Sequence, residues 1–202
     1  MKAKIISGQA PGGTRTRLGD VLPLVTPFVL QIFPIYACNF KCGYCIFSME
    51  KSKRHFISNK VVMDFELFTR CIDDMTSFPD KIKVLRFVGI GEPLLHKRIV
   101  DMVDYAVSKN VANTVEILTN ASLLTPTMSD ALISAGLSRM VISLQGVSKD
   151  KYKEVCGFDM DFEDFIYNLN YFYENKKKTQ VYIKIVDCAL DGKKDEEAFY
   201  EM

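Results

Sequence analysis

Cys38, Cys42 and Cys45 lie in the run Ala37-Cys38-Asn39-Phe40-Lys41-Cys42-Gly43-Tyr44-Cys45, which brings three thiols into one short loop. Thiolates are soft ligands that select iron–sulfur clusters, zinc or copper(I). A cubane cluster presents four irons, and one used only to carry electrons normally has a cysteine on each. The Cys-x3-Cys-x2-Cys spacing supplies three, and no fourth cysteine lies nearby in the sequence. The pattern points to a cluster with one iron left open to something other than protein. Other readings stand beside it. Structural zinc usually draws its ligands from two separated pairs, whereas this chain has one group of cysteines, with His55 as the histidine near it. A four-cysteine electron carrier requires Cys71, Cys156 or Cys188 to fold back onto the loop. Free thiols without a shared role would need three of the chain's 6 cysteines to fall together by chance.

The elements that must hold this loop can be read from periodicity. Short apolar, β-branched runs alternate with longer amphipathic stretches, the signature of β/α units on a parallel sheet. Strands are expected at Val29–Ile35, Ile82–Val88, Thr114–Leu118, Met140–Leu144 and Val181–Val186. Their nearly continuous hydrophobicity predicts burial on both faces. Helices are expected at about Phe65–Ser77, Lys97–Lys109, Pro126–Ala135 and Phe162–Lys176, with a shorter turn at Lys149–Val155. Asp64 is placed as an N-cap. Thr125 followed by Pro126 reads as a cap and then proline at the first helical position, and Gly136 ends that helix. Met102, Val103, Ala106 and Val107 recur at helical spacing and mark a buried stripe.

In parallel β/α barrels, chemistry collects at the C-terminal ends of the strands. The polar and glycine residues fall there: the cysteine loop after the first strand, Gly89-Ile90-Gly91-Glu92-Pro93 after the second, Thr119-Asn120 after the third, and Ser143-Leu144-Gln145-Gly146 at the fourth.

With these residues in view, the chain resembles the radical S-adenosylmethionine (SAM) enzymes, whose hallmark is Cys-x3-Cys-x-aromatic-Cys after the first barrel strand. Cys38, Cys42, Tyr44 and Cys45 reproduce it. The resemblance implies an α/β fold built as a partial TIM-like barrel. It implies that Cys38, Cys42 and Cys45 hold a [4Fe–4S] cluster whose open iron is chelated by SAM. Reductive cleavage of SAM would then give methionine and a 5′-deoxyadenosyl radical that abstracts hydrogen from a substrate. The family's Gly-Gly-Glu motif, which grips the methionyl ammonium, is similar to Ile90-Gly91-Glu92, with Ile90 in place of the first glycine. Glycine lets the backbone approach a ligand, and a carboxylate gives a primary ammonium its acceptor in a partly dry pocket. Thr119-Asn120-Ala121 resembles Thr-Asn-Gly, which makes Asn120 a candidate SAM contact. Ser143 matches a position that meets the ribose or carboxylate of SAM; alternatively it caps the helical segment that follows. Tyr44 would lie beside the adenine, or pack under the loop. Lys184 and Asp187 face either the adenine or the substrate, and periodicity does not fix which face they occupy.

The other cysteines read as structural: Cys71 as a small core residue within an amphipathic helix, Cys156 at a helix end before Gly157, and Cys188 after the fifth strand. The 202 residues suit one domain, with residues 1–25 as a lead-in and 26–202 as the core. Ser7–Asp20 is glycine-rich but lacks the Gly-Lys-Ser/Thr ending of a phosphate loop. A net charge of +1 gives no electrostatic case for nucleic acid or an anionic membrane. The basic runs Lys176-Lys177-Lys178 and Lys51-Ser52-Lys53-Arg54 read as a solvated helix end and an exposed loop; the second could also meet an anionic partner. Val21–Ile35 is too short to span a bilayer, and a reducing, cytoplasmic setting is expected.

The stretch Leu22–Phe28 resembles the branch of the family that often carries a C-terminal auxiliary iron–sulfur domain of the SPASM type and modifies peptides, proteins or sugars. The expected partners are a peptide or small-molecule substrate and an electron donor such as flavodoxin or ferredoxin. The family's barrel usually has six β/α units, and this chain stops within the fifth helix. It is therefore expected to be a truncated core, or else a short enzyme that closes its barrel with a partner. A non-catalytic iron–sulfur electron-transfer or scaffold module is the alternative from a different class, and a zinc-binding interaction domain is a third.

Overall fold

The computed structural model describes residues 16–54 and 60–201. His55 and most of the Ser7–Asp20 segment lie outside the described residues. Five parallel strands form one sheet in sequential order: β1 (Val29–Ile32), β2 (Ile82–Phe87), β3 (Ala112–Thr119), β4 (Arg139–Leu144) and β5 (Gln180–Ile185). Helices α1 (Phe65–Met75), α2 (Ile99–Ser108), α3 (Pro126–Ser134), α4 (Lys149–Cys156), α5 (Phe162–Asn175) and α6 (Lys193–Glu201) fill the connections. This is the expected α/β partial barrel. Among the described residues, no helix is long and apolar enough to cross a membrane.

The capping chemistry follows the sequence in most places. The Thr125 hydroxyl accepts from the Met128 amide with Pro126 at the first helical position, and Gly136 follows α3 in the left-handed region at φ 78°. Asp64 stands at the N-cap position of α1, but its carboxylate pairs with Lys60 Nζ at 3.1 Å instead of capping. The first strand is shorter than expected. Pro34 has no N–H to give to a ladder, so β1 stops at Ile32, and Ile35 forms an isolated antiparallel bridge with Val62.

The two faces of the sheet differ, which corrects the expectation of uniformly apolar strands. Leu85, Phe87, Ile117, Met140, Ile142 and Leu144 are buried on the helix side, against residues such as Phe68, Met102, Leu132 and Phe172. The opposite face lines the concave side of the barrel. Register brings Arg86, Glu116, Arg139 and Gln180 into one row there. Glu116 is only 1% exposed and is shared between the two arginines: Arg86 Nε donates to Oε1, and Arg139 Nη1 donates to Oε2 at 3.0 Å. Gln180 Oε1 accepts from Arg139 Nε and Nη2 at 3.2 and 3.1 Å. Above this row come Val88, Leu118, Val141 and Tyr182, and above them the strand ends. The charged row thus closes the lower part of the barrel without reaching the cysteine loop.

This row yields a stability prediction. Glu116→Ala leaves two facing guanidinium groups without their counter-ion and should cost about 3 kcal/mol, while replacing all three charges by apolar residues of similar volume should cost far less. Urea denaturation of the two variants checks the difference.

Candidate functional site

Phe40 anchors the cysteine loop. Its ring is fully buried against Phe158 (centroids 4.7 Å apart) and edge-on to Tyr152 (6.0 Å). Turn hydrogen bonds then shape the chain around it, with the Cys45 amide donating to Cys42 O at 2.8 Å and the Ser48 amide to Cys45 O at 2.9 Å. Cys42 is buried, while Cys38 and Cys45 are partly buried. Among the described residues, no group of three or more His, Cys, Asp or Glu side chains is arranged to hold a single metal ion.

Three neighbouring segments fix the loop from outside. The turn after β2 is the first. The Glu92 amide donates to Ala37 O at 2.8 Å, and at Gly91 (φ 143°) a Cβ would stand 2.2 Å from Ile35 O and 2.9 Å from Ala37 O. Gly91 is therefore needed where protein backbone meets protein backbone, immediately before Cys38. The end of β3 is the second. Asn120 Nδ2 donates to Asn39 Oδ1 at 3.0 Å and approaches Cys38 Sγ at 3.9 Å, and Asn39 Nδ2 donates to Ser122 Oγ at 2.7 Å. Ala121 beside it has φ 57°, a left-handed conformation that costs an L-residue about 1 kcal/mol or more relative to glycine. The third is the β4–α4 region. Tyr44 Oη donates to Gln145 Oε1, and the Lys41 and Gly43 amides donate to Cys156 O and Val155 O at 2.9 and 3.1 Å.

Sequence reasoning missed this last attachment. Cys156 is fully buried at the end of α4, its thiol donating to Tyr152 O at 2.8 Å. The neighbouring Cys156 thiol holds Cys42 below its ordinary range against the effect of burial, and Cys42 together with burial raises Cys156. Burial pushes Cys38 up to about 11. No spacing rule links residues 42 and 156; the signal exists only once α4 is seen to end, at left-handed Gly157, beside the loop. Cys71 packs against the core as expected, and Cys188 is exposed.

Glu92 is 2% exposed and surrounded by donors. Oε1 accepts from the Leu94 amide at 3.0 Å and from Thr119 Oγ1 at 2.6 Å, and Oε2 accepts from the Asn120 amide at 2.7 Å. No Lys, Arg or His among the described residues pairs with it. Burial raises its carboxyl above the usual range, and the three hydrogen bonds oppose that rise. The nearby buried His96 is structural: its ring nitrogens join Met63 O (3.0 Å) and the Arg98 amide (3.2 Å).

The remaining candidates gather at the same end of the sheet. Ser143 lies in β4 on the concave face, between buried Ile142 and Leu144, and its hydroxyl makes no hydrogen bond among the described residues. Ser148, not Ser143, caps α4 by accepting from the Lys151 amide at 3.2 Å. Lys184 is paired in register with Ser143 and so shares that face, whereas Asp187 begins the turn after β5. Tyr44 is 55% exposed, so it does not pack under the loop. Arg54, from the basic run, is taken up locally by Met49 O and Phe47 O at 2.8 and 2.9 Å.

The likeness to known proteins agrees with this geometry. The chain is 31% identical over 163 residues to the GTP 3′,8-cyclase of Clostridium perfringens, covering 79% of this chain and 46% of the relative. It is 35% identical over 107 residues to the tungsten-containing aldehyde ferredoxin oxidoreductase cofactor-modifying protein of Pyrococcus furiosus, covering 53% of this chain and 28% of that protein. It thus spans less than half the length of either. The fold superposes on Streptococcus suis SuiB bound to the precursor peptide SuiA with a TM-score of 0.61, at 22% identity over 81% of this chain and 34% of that one. The Radical SAM superfamily is matched across residues 32–199. By that match, with the three-cysteine loop at the mouth of a partial β/α barrel, the chain belongs to the radical SAM superfamily, whose cofactors are a [4Fe–4S] cluster and SAM.

Proposed function

We propose that this chain is the core of a radical SAM enzyme, with residues 26–202 as the catalytic unit and residues 1–25 as a lead-in. The observation that carries the reading is the buried, countercharge-free Glu92 carboxylate, fixed beside a loop of three thiols. A carboxylate in a dry setting is favourable only with a cation or a full set of donors. Among the described residues Glu92 has donors but no cation, and the ammonium of SAM would complete it. The donor chemistry also fits the cluster: Cys38, Cys42 and Cys45 offer soft thiolates from one loop and leave one iron for SAM. When bound, the cluster supplies the electron that cleaves SAM to methionine and a 5′-deoxyadenosyl radical, which takes a hydrogen atom from the substrate.

The protein's own residues position that chemistry. Gly91 lets the Glu92 turn lie directly on the chain leading into Cys38. Asn120 braces the loop through Asn39 while reaching Cys38. Its direct contact with SAM, and those of Tyr44 and Ser143, belong to the same proposal, as their clustering at one end of the sheet supports. The substrate reading is a peptide or small molecule: the SuiB structure holds a precursor peptide, and another relative is named for its action on GTP. A one-electron donor such as flavodoxin or ferredoxin would reduce the cluster in the cytoplasm.

Anaerobic reconstitution with iron and sulfide, followed by dithionite and SAM, should release 5′-deoxyadenosine, and Cys42→Ala should reduce it to background. A brown cluster that leaves SAM intact would favour the electron-transfer module, and a colourless zinc protein would overturn the reading.

Glu92 makes a second prediction. Its folded-state pKa is raised, so the fold favours the protonated form and the native state binds more protons than the unfolded chain above the ordinary glutamate range. Stability contributed by this residue must then fall as pH rises. As pH rises above the ordinary glutamate range, wild type should lose stability relative to Glu92→Gln, and saturating SAM should flatten that difference by supplying the missing cation. Urea titrations across pH measure it; parallel profiles would mean the carboxylate is already compensated.

A further inference from the structure

We propose that the concave wall of the barrel carries an anion seat centred on Arg86, and that the substrate bears a phosphate or carboxylate group held there. The assignment to a substrate rests on the radical SAM reading above; the seat itself does not. Parallel register aligns Gln31, Arg86, Glu116, Arg139 and Gln180 in one row across all five strands. Two guanidinium groups share one carboxylate there, so the row keeps one positive charge in excess. A partly buried charge without its counter-ion is costly to hold, and a cluster that served stability alone would be balanced.

The two arginines are not equivalent. Arg139 gives Nη1 to Glu116 and both Nε and Nη2 to Gln180, and its guanidinium stands 5.3 Å from the centre of the Tyr182 ring. Arg86 gives only Nε to Glu116. Among the described residues its two terminal nitrogens make no hydrogen bond, and its side chain is 27% exposed against 13% for Arg139. Terminal guanidinium nitrogens present a planar pair of donors that matches two oxygens of a phosphate or carboxylate.

The rest of the wall suits such a ligand. The apolar row of Val88, Leu118, Val141 and Tyr182 lies about 7 Å above Arg86, and the mouth row of Asn120, Ser143 and Lys184 about 13 Å above it. Lys184 is exposed and forms no ion pair among the described residues. The strands of this wall therefore present Arg86, Arg139 and Lys184 against the single acid Glu116, in a chain whose 26 basic residues are otherwise matched by 25 acidic ones. Excess charge of one sign lining a concavity gathers ligands of the other. A substrate seated by its anionic end at Arg86 spans the apolar row and brings its far end to the mouth, beside Glu92 and the cysteine loop. Binding at a remote group then orients the reacting end.

The test titrates sodium phosphate and, separately, sodium succinate with the unreconstituted chain, at ionic strength held constant with chloride, and reads binding from ligand NMR linewidths. One or both anions should bind, and the one that does names the substrate's group. Arg86→Gln should weaken binding about tenfold. Arg86→Lys should weaken it less, because it keeps the charge and loses the fork. Lys83→Gln, on the opposite face of β2, should leave it unchanged. If Arg86→Gln does not fold, Arg86→Met, which keeps an aliphatic stem, takes its place. Binding of neither anion to wild type, or equal binding to wild type and the neutral variant, would overturn the proposal. So would displacement of the anion by SAM in the reconstituted chain, since the anion would then occupy the seat of the SAM carboxylate. A reconstituted chain that releases no 5′-deoxyadenosine would overturn the reading beneath the substrate assignment and leave the phosphate titration unchanged.

Discussion

Glu92 sits inside the protein with three hydrogen-bond donors and, among the described residues, no cation beside it, and the upper end of the barrel is arranged around that fact. Its two oxygens join the turn after β2 to the end of β3 through Thr119 and the Asn120 amide. Its own amide joins the same turn to Ala37, at the threshold of the cysteine loop. A buried carboxylate with unfilled demand for positive charge is costly to keep. Here it also joins three strand connections, so the cost is built into the geometry of the site.

The loop itself is held like a panel fastened on three edges. Gly91 permits a backbone contact that any side chain would obstruct, Asn120 and Ser122 brace Asn39, and the last carbonyls of α4 receive the Lys41 and Gly43 amides. Unpaired carbonyls are an obligatory feature of helix C-termini. Using them to satisfy the amides of a ligand loop settles two polar demands at once and positions Cys42 without a side-chain clamp. The charged row of Arg86, Glu116 and Arg139 lies lower in the barrel, separated from the loop by Val88, Leu118, Val141 and Tyr182.

Much of this could be read from the sequence where a feature is local. Apolar runs located all five strands, Thr125-Pro126 and Gly136 marked the ends of α3, and the cysteine spacing with Gly91-Glu92 pointed to the site. What escaped depends on register or on docking between distant elements. Arg86, Glu116 and Arg139 lie one to a strand, far apart in sequence, and only the alignment of three strands makes them one ion cluster. Gln145 becomes a partner of Tyr44, and the Cys156 carbonyl of the Lys41 amide, only when β4 and α4 are in place. Asn120 was read as a ligand contact, yet its amide is also a brace for the loop, a role no motif announces. Ser143 had a plausible capping role, and Ser148 performs it because α4 begins later.

The attachment of the cysteine loop to the end of α4 has a consequence for the order of assembly. The two partners come from opposite halves of the chain, and contacts of high sequence separation form late because the closure entropy must be met before they contribute. During synthesis the three cysteines emerge well before the helix that seats them. A ribosome-bound chain would thus carry exposed, unseated thiols until β4 and α4 join the sheet, and delivery of iron and sulfide is best matched to the folded chain rather than to the nascent one.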